Sequence, residues 1–508
     1  MQDARKFWGS LTGLELVSSG GVAARDRKFV GDAREAWRQV RQSVVEAFRD
    51  GVSAWAMWNL ERSLEGKVKE LARLIVEHVV NRIEPEDERE LPRQQRFDGE
   101  YYRRKRKSPR RNLSCLFGKI SLKRCLYQPL ESAGACLFPL ERQLGIVAGV
   151  ATPALADEAA RAAAGQPQRA VLDGLRERQN VCWSAQTLRK VIVAIDELYT
   201  PQRHAAQVEV LLGWLRTAAK SSGRHAPVLS VGRDGIMLPI VARDKYQEGS
   251  TATVSVYDRH KQRLGTVYLG QMPESGQAAL SDALTRLLTD VLTRWDGATP
   301  KLNYVTDGGH HPTQYFETVL SQMFDPRRLT KKLPWDWIID YYHACQYITL
   351  LAEALFGPGR AAFDWARKQR QVLKTKDGGV FRVLRSAGAL RMTRGLVGSE
   401  EDYSRGSHYL RERAAKMNYA AAIRRGQPIG SGVTEAGCKT LFTQRFKQSG
   451  MKWTLSGGQP ILNLRTITLS HTWPTVRERA WKSYEIPTPN THTPTTAPRS
   501  QNLRKIAV

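Results

Sequence analysis

An α/β fold is predicted for this chain from three features of its sequence. Apolar residues recur at helical spacing over 33–83 and again over 152–195. From Val228 the period shortens to that of strands, giving 228–231, 251–257 and 263–269. A leucine-rich helix over 275–295, a strand at 302–306, a helix at 312–323 and a strand at 335–340 follow, and helical wording returns over 344–426.

The chain has 508 residues, enough for about three or four domains. Lys and Arg number 78 against 50 Asp and Glu, which leaves a net charge of +28. Such an excess is the electrostatic footprint of a protein that neutralises phosphates, so double-stranded DNA is the expected partner. No apolar run is long enough for a membrane span, and the first ten residues lack a secretory core. A cytoplasmic, nucleoid-associated protein that meets no membrane is expected. Six cysteines without a Cys-x-x-Cys pair form neither a disulfide framework nor a zinc motif.

Residues 1–30 are Gly- and Ser-rich and are expected to be poorly ordered. The region 31–100 should be helical, two amphipathic helices divided near Glu65-Gly66 and an acidic linker at 84–90. Within 101–150, the run Tyr101-Tyr-Arg-Arg-Lys-Arg-Lys-Ser-Pro-Arg-Arg111 carries seven positive charges. Arg103, Arg104, Lys105 and Arg106 are its candidate phosphate contacts. A β-hairpin over 113–127, turning at Phe117-Gly118, completes that small β module. The region 151–200 has helix-turn-helix wording: Pro153 near a helix start, a second helix over 170–177, and Ser184 placed to cap a third over 185–195. Gln186, Thr187, Arg189 and Lys190 would then face DNA, although an ordinary helical hairpin uses the same signals.

The strand order from 228 onward, β-β-β-α-β-α-β, is that of a ribonuclease-H-like sheet. The first strand empties at Asp234 before Gly235, and the fourth at Asp307 before Gly308-Gly309. Glu435 stands where the turn Gly430-Ser431-Gly432 gives way to a helix. Two Asp and a Glu at the ends of separate elements supply hard oxygen ligands for two Mg²⁺ or Mn²⁺ ions, with open positions for phosphate. The catalytic domain is thus predicted at 225–343 and 427–470, interrupted by an all-α insertion at 344–426. A disordered Pro- and Thr-rich tail is predicted over 486–508. Asp340 and His343 share a helix face at the junction and are candidates for an auxiliary role, locking the insertion or assisting at the phosphate. His310 and its neighbour His311 are further auxiliary candidates. Lys439, Arg445, Lys447, Lys452 and Trp453 are the candidate track for the DNA backbone, with Trp453 packing or stacking on a base.

Several stretches together resemble bacterial insertion-sequence transposases of the ISKra type: Gly232-Arg-Asp-Gly-Ile-Met-Leu-Pro239, Tyr268-Leu-Gly-Gln-Met-Pro273, Tyr304-Val-Thr-Asp-Gly-Gly-His-His-Pro312, Asp340-Tyr-Tyr-His343 and Gly430-Ser-Gly-Val-Thr-Glu435 through Trp453. The resemblance spans 110–470 and is densest from 228 onward. It implies a DDE transposase with Asp234, Asp307 and Glu435 in the acidic positions, and a Cys/Asp-x-x-His signature at Asp340 and His343. Some relatives carry paired cysteines before the Phe-Pro-Leu motif, where this chain has Cys136 alone. The implied activity is metal-dependent cleavage and strand transfer of transposon ends by a homo-oligomer. The alternatives are a metal-dependent nuclease or resolvase on the same fold, or a catalytically inactive DNA-binding derivative.

Overall fold

The computed structural model describes residues 24–105, 109–130, 134–241 and 246–484. The chain divides into two compact units, the first comprising residues up to 159, 169–191 and those from 483, the second 160–168 and 192–482. It is a mixed α/β structure, and no helix among the described residues is long and apolar enough to cross a membrane.

The first unit opens with helices α1 (Ala24–Glu46) and α2 (Ala54–Asn81). The break between them falls at 47–53, not at Glu65-Gly66, and α1 begins inside the segment expected to lack order. Phe48 and Gly51 take φ of 63° and 110°, and the Ser53 hydroxyl accepts from Ala56 N at 3.1 Å to start α2. One mid-helix glycine costs about 1 kcal/mol, too little for Gly66 to end a helix with packed neighbours. Strands β1 (Gln94–Phe97), β2 (Glu100–Arg104), β3 (Arg110–Cys115), β4 (Gly118–Lys123) and β5 (Tyr127–Pro129) form a three-stranded sheet, β1-β2-β5, and the hairpin β3-β4. Cys115 pairs with Gly118 across a two-residue turn, and Leu113, Ile120 and Leu122 pack with Leu140 against Val76 and Val80 of α2. α2 also supplies hydrogen-bond acceptors to the strand edge, Glu77 Oε2 to Ser121 N at 3.1 Å and Asn81 Oδ1 to Lys123 N at 2.8 Å.

Helices α3 (Pro139–Gln143), α4 (Pro153–Gly165), α5 (Gln168–Gln179) and α6 (Ala185–Lys220) follow, and unit boundaries fall within α4, α5 and α6. Ser184 caps α6 by accepting from Thr187 N at 3.1 Å. The helix does not stop near 195 but runs 36 residues through Pro201. Gln186, Arg189 and Lys190 are exposed, and Thr187 is half-buried against the Ser184 hydroxyl.

The second unit is built on a five-stranded mixed sheet. Its elements are β6 (Val228–Pro239), β7 (Tyr246–Tyr257), β8 (Arg263–Gln271), α7 (Ala278–Arg294), β9 (Lys301–Thr306), α8 (His310–Thr318), β10 (Phe324–Asp325), β11 (Arg328–Lys332) and β12 (Trp335–Ile339). The spatial order is β12-β9-β6-β7-β8, with β12, β9 and β6 parallel and β6, β7 and β8 antiparallel. β10 and β11 make a separate hairpin that has no apolar alternation, since every residue of β11 is exposed. α7 buries Leu280, Leu284, Leu287, Leu288, Val291 and Leu292, the stripe its sequence announces.

β6 corrects one expectation. Asp234 does not end its strand, because β6 continues to Pro239 and Asp234 pairs with Thr251. Gly235 to Pro239 stay extended because β7 begins at Tyr246, earlier than its apolar run, and pairs with them residue for residue.

After β12 the chain is helical: α9 (Tyr341–Phe356), α10 (Arg360–Thr375), α11 (Gly379–Arg394), α12 (Glu400–Glu412) and α13 (Tyr419–Arg425). Then α14 (Gly432–Cys438) runs through a π-helical stretch, 439–443, into α15 (Gln444–Phe446), and α16 (Leu455–Leu469) and α17 (Trp473–Lys482) follow. α14 and α16 cover one sheet face, with Thr434 against Gly232 and Leu462 against Gly270. α7 lies on the other, where Ser281 meets Arg233.

The basic segment separates into two roles. The Arg104 guanidinium donates to the carbonyls of Glu88 and Leu91, which makes it a brace, whereas Arg103 and Lys105 are exposed. Arg106 and the 486–508 tail lie outside the described residues. Arg104→Ala should therefore destabilise the protein by about 1–3 kcal/mol, leaving two carbonyls unpaired. Arg103→Ala should leave the melt unchanged but lower the log-log salt slope of duplex DNA binding by about 0.9. An unchanged slope in a salt titration would remove Arg103 from the interface.

Candidate active site

Parallel pairing of β6 with β9 ends at Gly232 and Val305, while β6 continues beside β7. The divergence opens a cleft lined by Asp234, Glu248, Gln277, Asp307, His310 and His311. Asp234 is half-buried, and its Oδ1 accepts from Gly235 N at 2.8 Å. Burial pushes its carboxyl above the usual range, and the charges of Asp307 and Glu435 push it further. Hydrogen bonds from the Cys438 thiol and Gly235 N–H act the other way. Asp307 and Glu435, both far from it in sequence, are thus within electrostatic reach of Asp234.

Asp307 follows β9 directly, and its Oδ1 accepts from Gly309 N at 2.9 Å. Gly308 has φ 79°, and a Cβ there would meet Arg413 Nε and Ile339 Cδ1 at 2.8 Å, so the turn needs glycine. Two groups from α12 and its end fasten this loop: Tyr409 Oη donates to Asp307 O at 2.8 Å and Arg413 Nη2 to Gly308 O at 3.2 Å. Glu435 lies exposed in the first turn of α14, and its Oε1 faces Ser431 Oγ at 3.2 Å.

Asp340 and His343 brace two of these carboxylates. Their side chains do not bond to each other, as helical spacing had allowed. Asp340 is fully buried and caps α9, its Oδ1 accepting from His343 N at 2.9 Å, because the first-turn N–H groups otherwise lack partners. Its Oδ2 accepts from both the backbone N–H and the hydroxyl of Ser431, the residue that faces Glu435. The His343 ring packs edge-on against Tyr347 and Tyr409, with centroids 5.4 and 5.6 Å apart, and Tyr409 is the residue that holds Asp307.

Of the remaining candidates, Lys439, Lys447 and Lys452 are exposed, as is His310. His311 is half-buried, and its Nδ1 has no hydrogen-bond partner among the described residues. Arg445 and Trp453 are corrected. Arg445 is 1% exposed and its Nε donates to Ala163 O at 3.1 Å, closing the last turn of α4. Trp453 extends β6 through Val241 N, donates from its indole to Phe446 O at 3.1 Å and packs on Phe446 at 4.6 Å. Neither side chain faces solvent where DNA would meet it. Glu248 and Gln277 were not foreseen, because Tyr246 to Ser250 lacks the apolar alternation that marks a strand, and a single Glu or Gln carries no signal of its own in sequence.

The donor set suits a hard divalent cation. Asp234, Asp307 and Glu435 offer carboxylate oxygens, and the cost that burial, and after it like charge, imposes on the ionised Asp234 is what a cation relieves. As placed, no three His, Cys, Asp or Glu among the described residues are gathered closely enough to hold one ion. No family model matches the chain, and no curated protein matches it.

Two outcomes follow from this geometry. Asp340→Asn turns an amide N–H toward the two Ser431 donors in a buried site, and should cost about 1–3 kcal/mol in a denaturant melt. Asp234 has a raised folded pKa, so between the ordinary Asp range and that value the folded state holds the extra proton and stability falls as pH rises. Asp234→Asn should therefore raise the melting temperature by a few degrees near neutral pH in chelator, and the gain should vanish below the ordinary Asp range. A variant no more stable than wild type near neutrality would contradict the raised pKa of Asp234.

Proposed function

We propose that the protein is a DDE-type DNA transposase that cleaves transposon ends and joins them to target DNA. In this reading the second unit is a ribonuclease-H-like catalytic domain, residues 225–343 and 427–470, with an all-α insertion at 344–426. The observation that carries it is the position of Asp234 on β6, where burial raises the carboxyl's pKa and the charges of Asp307, just after β9, and Glu435, on α14, add to that rise. Support comes also from the strand order β12-β9-β6-β7-β8, with Asp307 at the carboxyl end of a central parallel strand, where ligands bind in sheets of this kind. The net charge of +28 suits a partner rich in phosphate.

Asp234, Asp307 and Glu435 would hold two Mg²⁺ or Mn²⁺ ions, which when bound supply Lewis-acid activation at the attacking and leaving oxygens of a phosphodiester. The chain's own work is positioning. Tyr409 and Arg413 hold the carbonyls of the Asp307 loop, and Asp340 holds Ser431, the residue that faces Glu435. Exposed Lys439, Lys447 and Lys452 follow Glu435 and would draw the DNA backbone toward the cleft. Two ends must be joined, so a homo-oligomer acting on double-stranded DNA in the nucleoid is part of the proposal.

The test uses labelled duplexes carrying the inverted repeats that flank the gene, with Mg²⁺ or Mn²⁺ and a gel shift in parallel. Asp307→Asn and Glu435→Gln should each lower cleavage and joining on the order of a thousandfold or more, as for residues that act as a unit, while end binding persists. Ca²⁺ should support binding alone, since its larger, looser shell positions reacting oxygens poorly. Near-normal joining by either variant would refute its assignment. Cleavage by the wild type without joining would mark a nuclease instead.

A further inference from the structure

Helix α2 is 28 residues long and buries none of them. One side lies against α1 and the β3-β4 hairpin, with Val76 and Val80 partly covered. The side that no described residue covers is apolar, because Trp58, Val68, Ile75 and Val79 stand between 44 and 55% exposed. Helices in proteins are held mostly by the burial of such a face. An uncovered apolar stripe along a helix about 42 Å long marks a contact surface.

The stripe has a repeat. Trp58, Glu61, Glu65, Val68, Ile75 and Val79 fall on one line of alternating three- and four-residue steps, with half-buried Ala72 filling the place between Val68 and Ile75 and exposed Ala54 at the head. That is the spacing of a seam that faces a second helix, kept up for about four heptads. Its later half is aliphatic, and its earlier half carries the two glutamates. Glu65 is held by cations of its own helix, Arg62 at 3.0 Å and Lys69 at 2.6 Å, so its charge lies along the edge of the seam.

We propose that this face of α2 pairs with the same face of a second copy of the chain, the two helices running antiparallel about a point between Gly66 and Lys67. Charge selects that direction. In a parallel pair Glu61 and Glu65 would each meet themselves, and like charges at facing seam positions oppose association. In the antiparallel pair Trp58 lies opposite the other copy's Ile75, Glu61 opposite its Ala72, and Glu65 opposite its Val68 with its Lys69 alongside. Bulky rings then meet β-branched side chains, and each carboxylate meets a small residue or a cation. The contact is two-fold and self-complementary, so it closes at a dimer. The need for two copies rests on the reading of the protein as a transposase, whereas the surface rests on α2 alone.

Sedimentation of the full chain at micromolar concentration, without DNA or metal, tests the proposal. Wild type should sediment as a dimer, and Val68→Glu with Ile75→Glu should weaken the dimer about thirtyfold or more, since one new carboxylate falls opposite the other copy's Glu65. Direction is read by disulfide cross-linking with the exposed Cys136 and Cys182 changed to Ser. Ala54→Cys mixed with Val79→Cys should cross-link, while Val79→Cys alone should not, its two thiols lying on the order of 37 Å apart. The cross-link needs no disruptive change and decides the matter if the charged variant does not fold. A monomeric wild type would overturn the second copy as occupant and leave the face to residues 1–23 or to another protein. A dimer untouched by the two glutamates would overturn this face, and a bridge from Val79→Cys to itself would overturn the antiparallel register. A dimer formed through α2 by a protein that joins no DNA would leave this inference standing and sink the transposase reading.

Discussion

The burial of the Asp234 carboxyl, in a cleft that Asp307 also lines, is the constraint on which the second unit depends. Asp234 cannot leave, because its strand is paired on β7 through Pro239. Its charge is raised in cost by burial and by Asp307 and Glu435. The fold answers with one brace for each of these two carboxylates. Asp307 sits on a loop whose carbonyls are held by Tyr409 and Arg413, and Glu435 on a helix whose entry residue, Ser431, is held by Asp340.

Both braces are anchored at one junction. Asp340 ends β12 and caps α9, and His343, in the first turn of α9, packs on Tyr409 of α12. The helical segment between β12 and α14 is thereby tied to the cleft by the residues that open it. Asp340 itself is a fully buried carboxyl group, tolerable because three donors, His343 N, Ser431 N and Ser431 Oγ, satisfy it. A junction of this kind transmits any displacement of the helical segment to two carboxylates at once, so its rigidity sets the geometry of the site.

Much of this was legible in the sequence where one residue type has one physical use. The leucine stripe of α7, the Ser184 cap and the glycines after Asp307 are of that sort. Positive charge was not legible in the same way. Arg104 and Arg445 read as surface cations and Arg233 carried no reading of its own, yet each is spent on carbonyls, an amide or a hydroxyl within the fold. A guanidinium with five donors serves a buried carbonyl as well as a phosphate, and sequence alone does not choose. The long arm of β7 was hidden for a different reason. Tyr246 to Ser250 is held extended by β6 and not by its own alternation, so Glu248 came into view only with the pairing register.

The central claim is that Asp234, Asp307 and Glu435 jointly hold divalent cations. Crystals soaked in Mn²⁺ and measured at the manganese absorption edge address it most directly. The account predicts anomalous peaks roughly 2 Å from oxygens of all three carboxylates. Peaks elsewhere, with this cleft free of manganese at saturating concentration, would contradict it.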